Sequence, residues 1–225
     1  MFASLERFNA LIPARAGSKG VINKNLMKVG TRSITHRALD LASSWRFHKI
    51  ILSTDIDTLI DEEFNDKRII KHRRPDFLCT DDATMEGVVM DAIESQKLTS
   101  DDWMVLLQPT CPFRVKGDID LLINILERTN ARSLISVTPV GGAHPERMYT
   151  KIQDSLRPLK YTSFSNRQTL KDIFIRNGAF YVFMVGDFLA QRSFYIHPCV
   201  GYEMDKERSI NIDNELDLIL ARQLA

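Results

Sequence analysis

The chain has 225 residues, room for one large domain whose core needs no covalent staples. Lys and Arg number 30 against 29 Asp and Glu, a net charge of +1, which excludes a global basic field for nucleic acid and an acidic tail. Cys79, Cys111 and Cys199 form no C-x-x-C and no even-numbered disulfide framework, so a reducing cytoplasm is the expected home. Charge at Glu6 and Arg7 precedes any apolar run. No stretch approaches the roughly 18 apolar residues of a spanning helix, so neither a signal peptide nor a membrane partner is expected.

Short apolar runs alternate with helical patterns along the chain. Phe8 to Pro13 reads as a strand that ends in the loop Arg15-Ala16-Gly17-Ser18-Lys19-Gly20. Ile34, Ala38, Leu41 and Ala42 recur at helix spacing. Lys49 to Ser53 is a β-branched run closed by Thr54-Asp55, and Arg68 to Lys71 is a weaker one. Met85, Val88, Val89, Ala92 and Ile93 make a helix stripe. Trp103 to Leu107 is a strand stopped by Gln108-Pro109-Thr110. Ile119, Leu122, Ile123 and Leu126 mark another helix, and Leu134 to Val140 another strand. Residues 141–176 break this rhythm with a long polar stretch, read either as a lid or oligomer contact or as a plain hairpin-and-helix layer. The core pattern resumes at Phe180 to Val185, Val200 to Met204 and Ile210 to Ile212. A last helix carries the stripe Leu216, Ile219, Leu220 and Leu224, with Asp213 and Asn214 where an N-cap belongs.

Strand–helix alternation predicts an α/β sheet with helices on both faces, and ligands in such sheets sit beyond the carboxyl ends of the strands. Residues fit for chemistry fall at those ends: 15–20, Asp55 and 108–114. Gly17 and Gly20 would let backbone N–H groups approach phosphate oxygens, and Arg15, Lys19 and Lys24 would add charge. The loop matches neither G-x-x-x-x-G-K-S/T nor G-x-G-x-x-G, so the residues also allow a solvated strand-to-helix connection. Two prolines, Pro109 and Pro112, make a rigid turn that either aims Gln108 and Thr110 into a crevice or caps its own backbone. In Asn211-Ile212-Asp213, residues 211 and 213 face one side of an extended segment. Two such oxygens suit Mg²⁺, although Asp213 could equally cap the helix.

Leu11-Ile12-Pro13-Ala14-Arg15-Ala16-Gly17-Ser18-Lys19-Gly20, followed by Lys24-Asn25, resembles the opening loop of the acylneuraminate (sialic acid-type) cytidylyltransferases. The resemblance continues through Ser53-Thr54-Asp55, Arg74-Pro75, Asp81-Asp82-Ala83-Thr84, Leu106 to Arg114, Arg167-Gln168, Arg176 to Tyr181, and Ser209 to Leu218. It implies a three-layer nucleotide-diphospho-sugar transferase fold, Rossmann-like, with a mostly parallel, mixed sheet and a small dimerisation extension within about 141–176.

The implied reaction moves CMP from CTP to the 2-hydroxyl of a nonulosonic acid and releases pyrophosphate, in a homodimer with Mg²⁺. The alternatives are a relative acting on another sugar acid such as Kdo, or a non-catalytic nucleotide-binding relative. By resemblance, Arg15, Ser18, Lys19 and Lys24 hold the triphosphate, and Asn25, Arg74 and Thr84 lie along the nucleotide. Gln108, Thr110, Arg167 and Asn177 lie on the acceptor side, with Tyr181, Phe194 and Tyr195 as an apolar wall. Arg147 reaches toward the neighbouring subunit's site. Asp213 binds Mg²⁺ with Asn211 beside it, and Arg15, Lys19 and Asp213 carry catalysis. Four positions depart from the family pattern. Asn211 replaces an Asp of the metal pair, Cys111 stands for Ser, Lys171 for Pro, and Met85 for a small polar residue.

Overall fold

The computed structural model describes residues 7–17, 21, 23–159 and 171–225. Ser18, Lys19 and Arg167 therefore lie outside the described residues.

Strand β1 (Phe8–Ala14) is buried along its whole length, which only a central strand covered on both faces can be. Its side chains divide by alternation. Phe8, Ala10, Ile12 and Ala14 enter one apolar layer, and Leu11 enters the other. The small pair β2 (Lys28–Val29) and β3 (Arg32–Ser33) leads into helix α1 (Ile34–Ser43), whose N-cap Ser33 accepts the His36 N–H. Strand β4 (Ile50–Thr54), the short helix α2 (Asp57–Asp61) and strand β5 (Ile69–Arg73) follow. Helix α3 (Met85–Ser95) precedes β6 (Trp103–Leu106), and α4 (Lys116–Thr129) precedes β7 (Ser133–Pro139).

The hairpin β8 (Tyr149–Ile152) and β9 (Ser155–Pro158) stands apart from the main sheet. Strand β10 (Phe174–Met184), helix α5 (Val185–Gln191), strand β11 (Cys199–Glu203) and helix α6 (Glu215–Gln223) complete the described elements.

The main sheet has seven strands in the order β11-β7-β10-β6-β1-β4-β5. Strand β10 runs antiparallel to both its neighbours, and the other pairings are parallel. This is the mostly parallel, mixed three-layer sheet that the resemblance implies. One layer holds residues of α1 and α4, among them Ala38, Leu39, Ile119, Leu122 and Leu126. The other holds Val89, Ala92, Ile93 and Phe188 from α3 and α5.

Ile210 to Ile212 is the extended, core-contacting segment expected, joined to no sheet and held by the Ile212 N–H on the Thr110 carbonyl, 2.9 Å away. One reading of the sequence needs correction. Helix α6 exists, but its expected stripe faces outward, with Leu216 75% and Ile219 54% exposed. Its inner face is Leu218 and Ala221, which pack on Val21, Val29, Ile34 and Ile212. The apolar period was right and its phase was not, because two small contacts suffice to dock so short a helix.

Candidate active site

The topology brings the chemistry-bearing residues to one edge. Strands β1, β4, β5 and β6 end there at Arg15, Asp55, Arg74 and Gln108. Strand β10, running the other way, begins there with Phe174 to Asn177. Helices α3 and α4 also start at that edge, since each follows a strand that ends in it.

The β1 loop is tied from several sides. Its Ala16 N–H donates to Asp55 Oδ1 at 2.7 Å. Asn25 is buried and donates its amide to the Arg15 carbonyl at 2.9 Å, so it braces the loop. The Arg15 guanidinium donates to the carbonyls of Cys79 (3.2 Å) and Thr80 (2.8 Å) and pairs with Asp81 at 2.7 Å. The loop and residues 79–81 thus line one cleft. Arg74 is buried beneath them, its guanidinium on the Ser53 hydroxyl (3.1 Å) and carbonyl (2.9 Å). Burial lowers its pKa. Thr84 is exposed and caps α3, its hydroxyl accepting the Gly87 N–H at 3.1 Å. That role uses an acceptor and leaves the hydroxyl proton for a ligand.

The turn after β6 is built as rigidly. Arg37 of α1 donates to the Pro112 carbonyl at 3.0 Å. Arg114, buried over the Phe180 ring, donates to the Ala179 carbonyl at 2.8 Å, and burial pulls its pKa down to about 10. Gln108 and Thr110 are half-buried at the crevice. A bulge in β10 between Arg176 and Tyr181 presses on this turn. Gly178 sits there at φ +81°, and a Cβ on it would come within 2.9 Å of Gln108 Oε1 and 3.3 Å of Cys111 Sγ.

Gly178→Ala is therefore expected to cost about 1–3 kcal/mol of stability through backbone strain. The flexible Gln108 side chain should yield first and take up the clash. A thermal melt checks the loss.

Asn177 was expected on the acceptor side, and the structure turns it inward. Its amide oxygen accepts from Ser136 Oγ (2.6 Å) and the Ala179 N–H (3.1 Å), and its amide nitrogen donates to Ser209 Oγ (2.8 Å). A side chain this fully engaged and only 6% exposed shapes the bulge instead of meeting a ligand. Tyr181 and Phe194 pack together with ring centroids 5.2 Å apart, and Phe194 continues onto Phe183 and Phe188. Tyr195 departs from that wall and is 63% exposed. Arg147 is exposed in the 3-10 turn Pro145–Arg147 before the β8–β9 hairpin.

Asp213 is not the cap of α6. Asn214 is, in a capping box with Asp217. This frees the Asp213 carboxylate, whose Oδ1 lies 3.3 Å from Lys24 Nζ and whose Oδ2 accepts the Asn211 amide N–H at 2.5 Å. Among the described residues, no three His, Cys, Asp or Glu side chains gather as a ready-made metal cage. Asp213 offers an exposed carboxylate beside Lys24. That suits a divalent ion whose other ligands are water and substrate phosphate. Burial pushes the thiols of Cys79 and Cys111 up to about 11, so neither is a thiolate nucleophile at neutral pH.

Several supporting side chains escaped sequence reasoning. Asp118 is buried and accepts from Tyr202, Arg208 and the Val115 N–H, which locks the start of α4 to β11. Arg176 lies close enough to Tyr181 to oppose the upward push of burial on its hydroxyl pKa. The Arg-Asn-Gly run carried the only sequence signal for that residue.

A family model described as cytidylyltransferase matches residues 9–220. The chain belongs to the cytidylyltransferase family. The N-acylneuraminate cytidylyltransferase of Escherichia coli O18:K1:H7 is 29% identical over 94% of this chain and 50% of its own length. This cytidylyltransferase chain thus spans about half the length of that relative. The CMP-N,N'-diacetyllegionaminic acid synthase of Legionella pneumophila is 27% identical over 97% of this chain and 96% of its own. Among solved structures, CMP:2-keto-3-deoxy-manno-octonic acid synthetase complexed with CTP superposes with a TM-score of 0.66 at 12% identity, covering 97% and 98% of the two chains. The 2-C-methyl-D-erythritol 4-phosphate cytidylyltransferase of Francisella tularensis gives 0.65 at 16%, covering 98% and 100%. Those two likenesses establish the fold.

Proposed function

We propose that this chain transfers CMP from CTP to the 2-hydroxyl of a nonulosonic acid of the sialic or legionaminic type and releases pyrophosphate. The observation that carries the reading is the meeting, at one edge of the sheet, of the Arg15 loop, the Gln108–Arg114 turn and Asp213. The Thr110–Ile212 hydrogen bond ties the turn to the Asp213 segment, and Lys24 ties that segment to the loop. Near-full-length similarity to a legionaminic acid synthase supports the acceptor class.

The chemistry is in-line attack of the sugar hydroxyl on the α-phosphorus. The protein contributes position and electrostatics, because negative charge grows on the phosphate oxygens during transfer. Arg15 and Lys24, with Ser18 and Lys19, would meet that charge. Asp213 would hold Mg²⁺, which supplies charge neutralisation to the triphosphate when bound. Asn25 and Arg74 brace the floor of the nucleotide cleft through Arg15 and Ser53. Gln108, Thr110 and Arg167 would fix the acceptor, and Tyr181 and Phe194 would take an apolar substituent such as an acetamido methyl.

The exposed hairpin side chains Tyr149, Ile152 and Leu156 support a homodimer through β8–β9, in which Arg147 would reach toward the neighbouring site. No described helix is long and apolar enough to cross a membrane, and three free cysteines support a cytoplasmic setting.

A pyrophosphate-release screen with CTP over sialic, legionaminic and pseudaminic acids and Kdo tests the reading. Turnover with at least one of the first three, well above Kdo, is expected. Binding of CTP with no turnover of any acid would replace it with a non-catalytic nucleotide-binding role.

A further inference from the structure

Two departures from the family pattern, Cys111 and Asn211, touch each other. Cys111 Sγ lies 3.6 Å from Asn211 Oδ1 and 3.2 Å from the Asn177 carbonyl. On its other side Asn211 meets Asp213, Nδ2 to Oδ2 at 2.5 Å. A carboxylate only accepts hydrogen bonds, so the atom facing it must be the amide nitrogen. The amide oxygen, the atom a metal would need, is then turned away toward sulfur.

The thiol fits this arrangement. It is fully buried and keeps its one proton, which it shares between two neutral oxygens. An aspartate at 211 would place one carboxylate oxygen against that weak, already shared donor and the other against the Asp213 carboxylate. Two carboxylates in contact would repel, and beyond Lys24 Nζ, 3.3 Å from Asp213 Oδ1, a bound metal ion would offset them further. A serine at 111 would offer a stronger donor to such an aspartate. Cysteine with asparagine forms a pair that keeps Asp213 in place without a metal ion.

We propose that Asn211 is a positioning residue that donates its amide N–H to Asp213, and not a metal ligand, and that the Cys111 thiol fixes the amide in that orientation. The inference rests on the reading of Asp213 as the metal-facing carboxylate. In this chain Asp213 is then the single acidic side chain of the former pair. Its carboxylate is paired with Lys24 Nζ at 3.3 Å, and Asp213 would hold the metal ion without a second acidic ligand from residue 211.

The test is the side-chain amide resonance of Asn211 in ¹H–¹⁵N spectra of the full chain, assigned by its loss in Asn211→Asp. The expected result in EDTA is a downfield, exchange-protected proton, retained when Mg²⁺ and CTP saturate the protein. A resonance with solvent-like exchange in EDTA, or one whose protection disappears with Mg²⁺ and CTP, would overturn the donor role. Cys111→Ala should lose the protection and Cys111→Ser should keep it; equal protection in both would overturn the part assigned to Cys111.

A second readout needs neither nucleotide nor assignment. Asn211→Asp is expected to melt several degrees below the parent in EDTA at pH 7.5 and to regain part of the loss with Mg²⁺. An unchanged melting temperature in EDTA would contradict the Asn211–Asp213 contact. Protection in EDTA together with no binding of Mg²⁺–CTP would keep the contact and overturn the nucleotide reading instead.

Discussion

Arg15→Ala is expected to lower kcat/KM for pyrophosphate release from CTP by about 10²–10³-fold, the range for losing one preorganised contact to developing charge. The side chain is 28% exposed and its partner Asp81 38%, so the ion pair itself adds little to stability. Exposed and half-exposed pairs contribute about 0–1 kcal/mol. The melting temperature should therefore move by only a few degrees, and the loss should read as catalysis and not as unfolding. Arg15 also bridges β1 to residues 79–81, with donors on two carbonyls and one carboxylate. A lysine cannot reproduce that planar fork. Arg15→Lys should accordingly recover part of the charge effect and little of the cleft geometry, showing a better kcat than Arg15→Ala with a KM for CTP still raised. A near-parental rate in both variants would remove Arg15 from the site.

Asp213→Ala is expected to have a comparable effect, about 10²–10³-fold on kcat, with loss of most of the Mg²⁺ dependence. The structure makes this variant clean. The Asp213 side chain is 64% exposed. The start of α6 is held by Asn214 and Asp217, which accept and donate without it. The helix docks through Leu218 and Ala221. Folding should survive, and circular dichroism with a thermal melt checks this beside the rate. An Mg²⁺ titration that is the same in Asp213→Ala and the parent would place the metal elsewhere.

The parts of this molecule that were legible in sequence are those whose signal is local. Strands β1, β4 and β6 are short apolar runs because they are covered on both faces, and α3 and α4 show their stripes because one face of each is buried. Strand β10 was only half legible. Phe174 to Arg176 are exposed although two of them are apolar, and this breaks the strand pattern at its first end. The hairpin β8–β9 gave no alternation because its side chains on both faces are exposed among the described residues. Helix α6 showed its period but not its phase.

At the site, residue types were legible and directions were not. Asn177 looked like a ligand-facing amide until Ser136 and Ser209, 41 and 32 residues away, were found on it. The Arg15–Asp81 pair joins segments 66 residues apart, and the Cys111–Asn211 contact joins segments 100 apart. Only the fold brings such partners together.

The central claim is that this edge of the sheet activates a nonulosonic acid with CTP. Its most direct test is product analysis by ³¹P NMR and mass spectrometry after incubating the chain with Mg²⁺, a nonulosonic acid and each of CTP, UTP, ATP and GTP in turn. The account predicts a CMP-linked sugar and equimolar pyrophosphate from CTP, with the other nucleotides far slower. Free CMP without a linked sugar, or equal product from UTP or ATP, would contradict it.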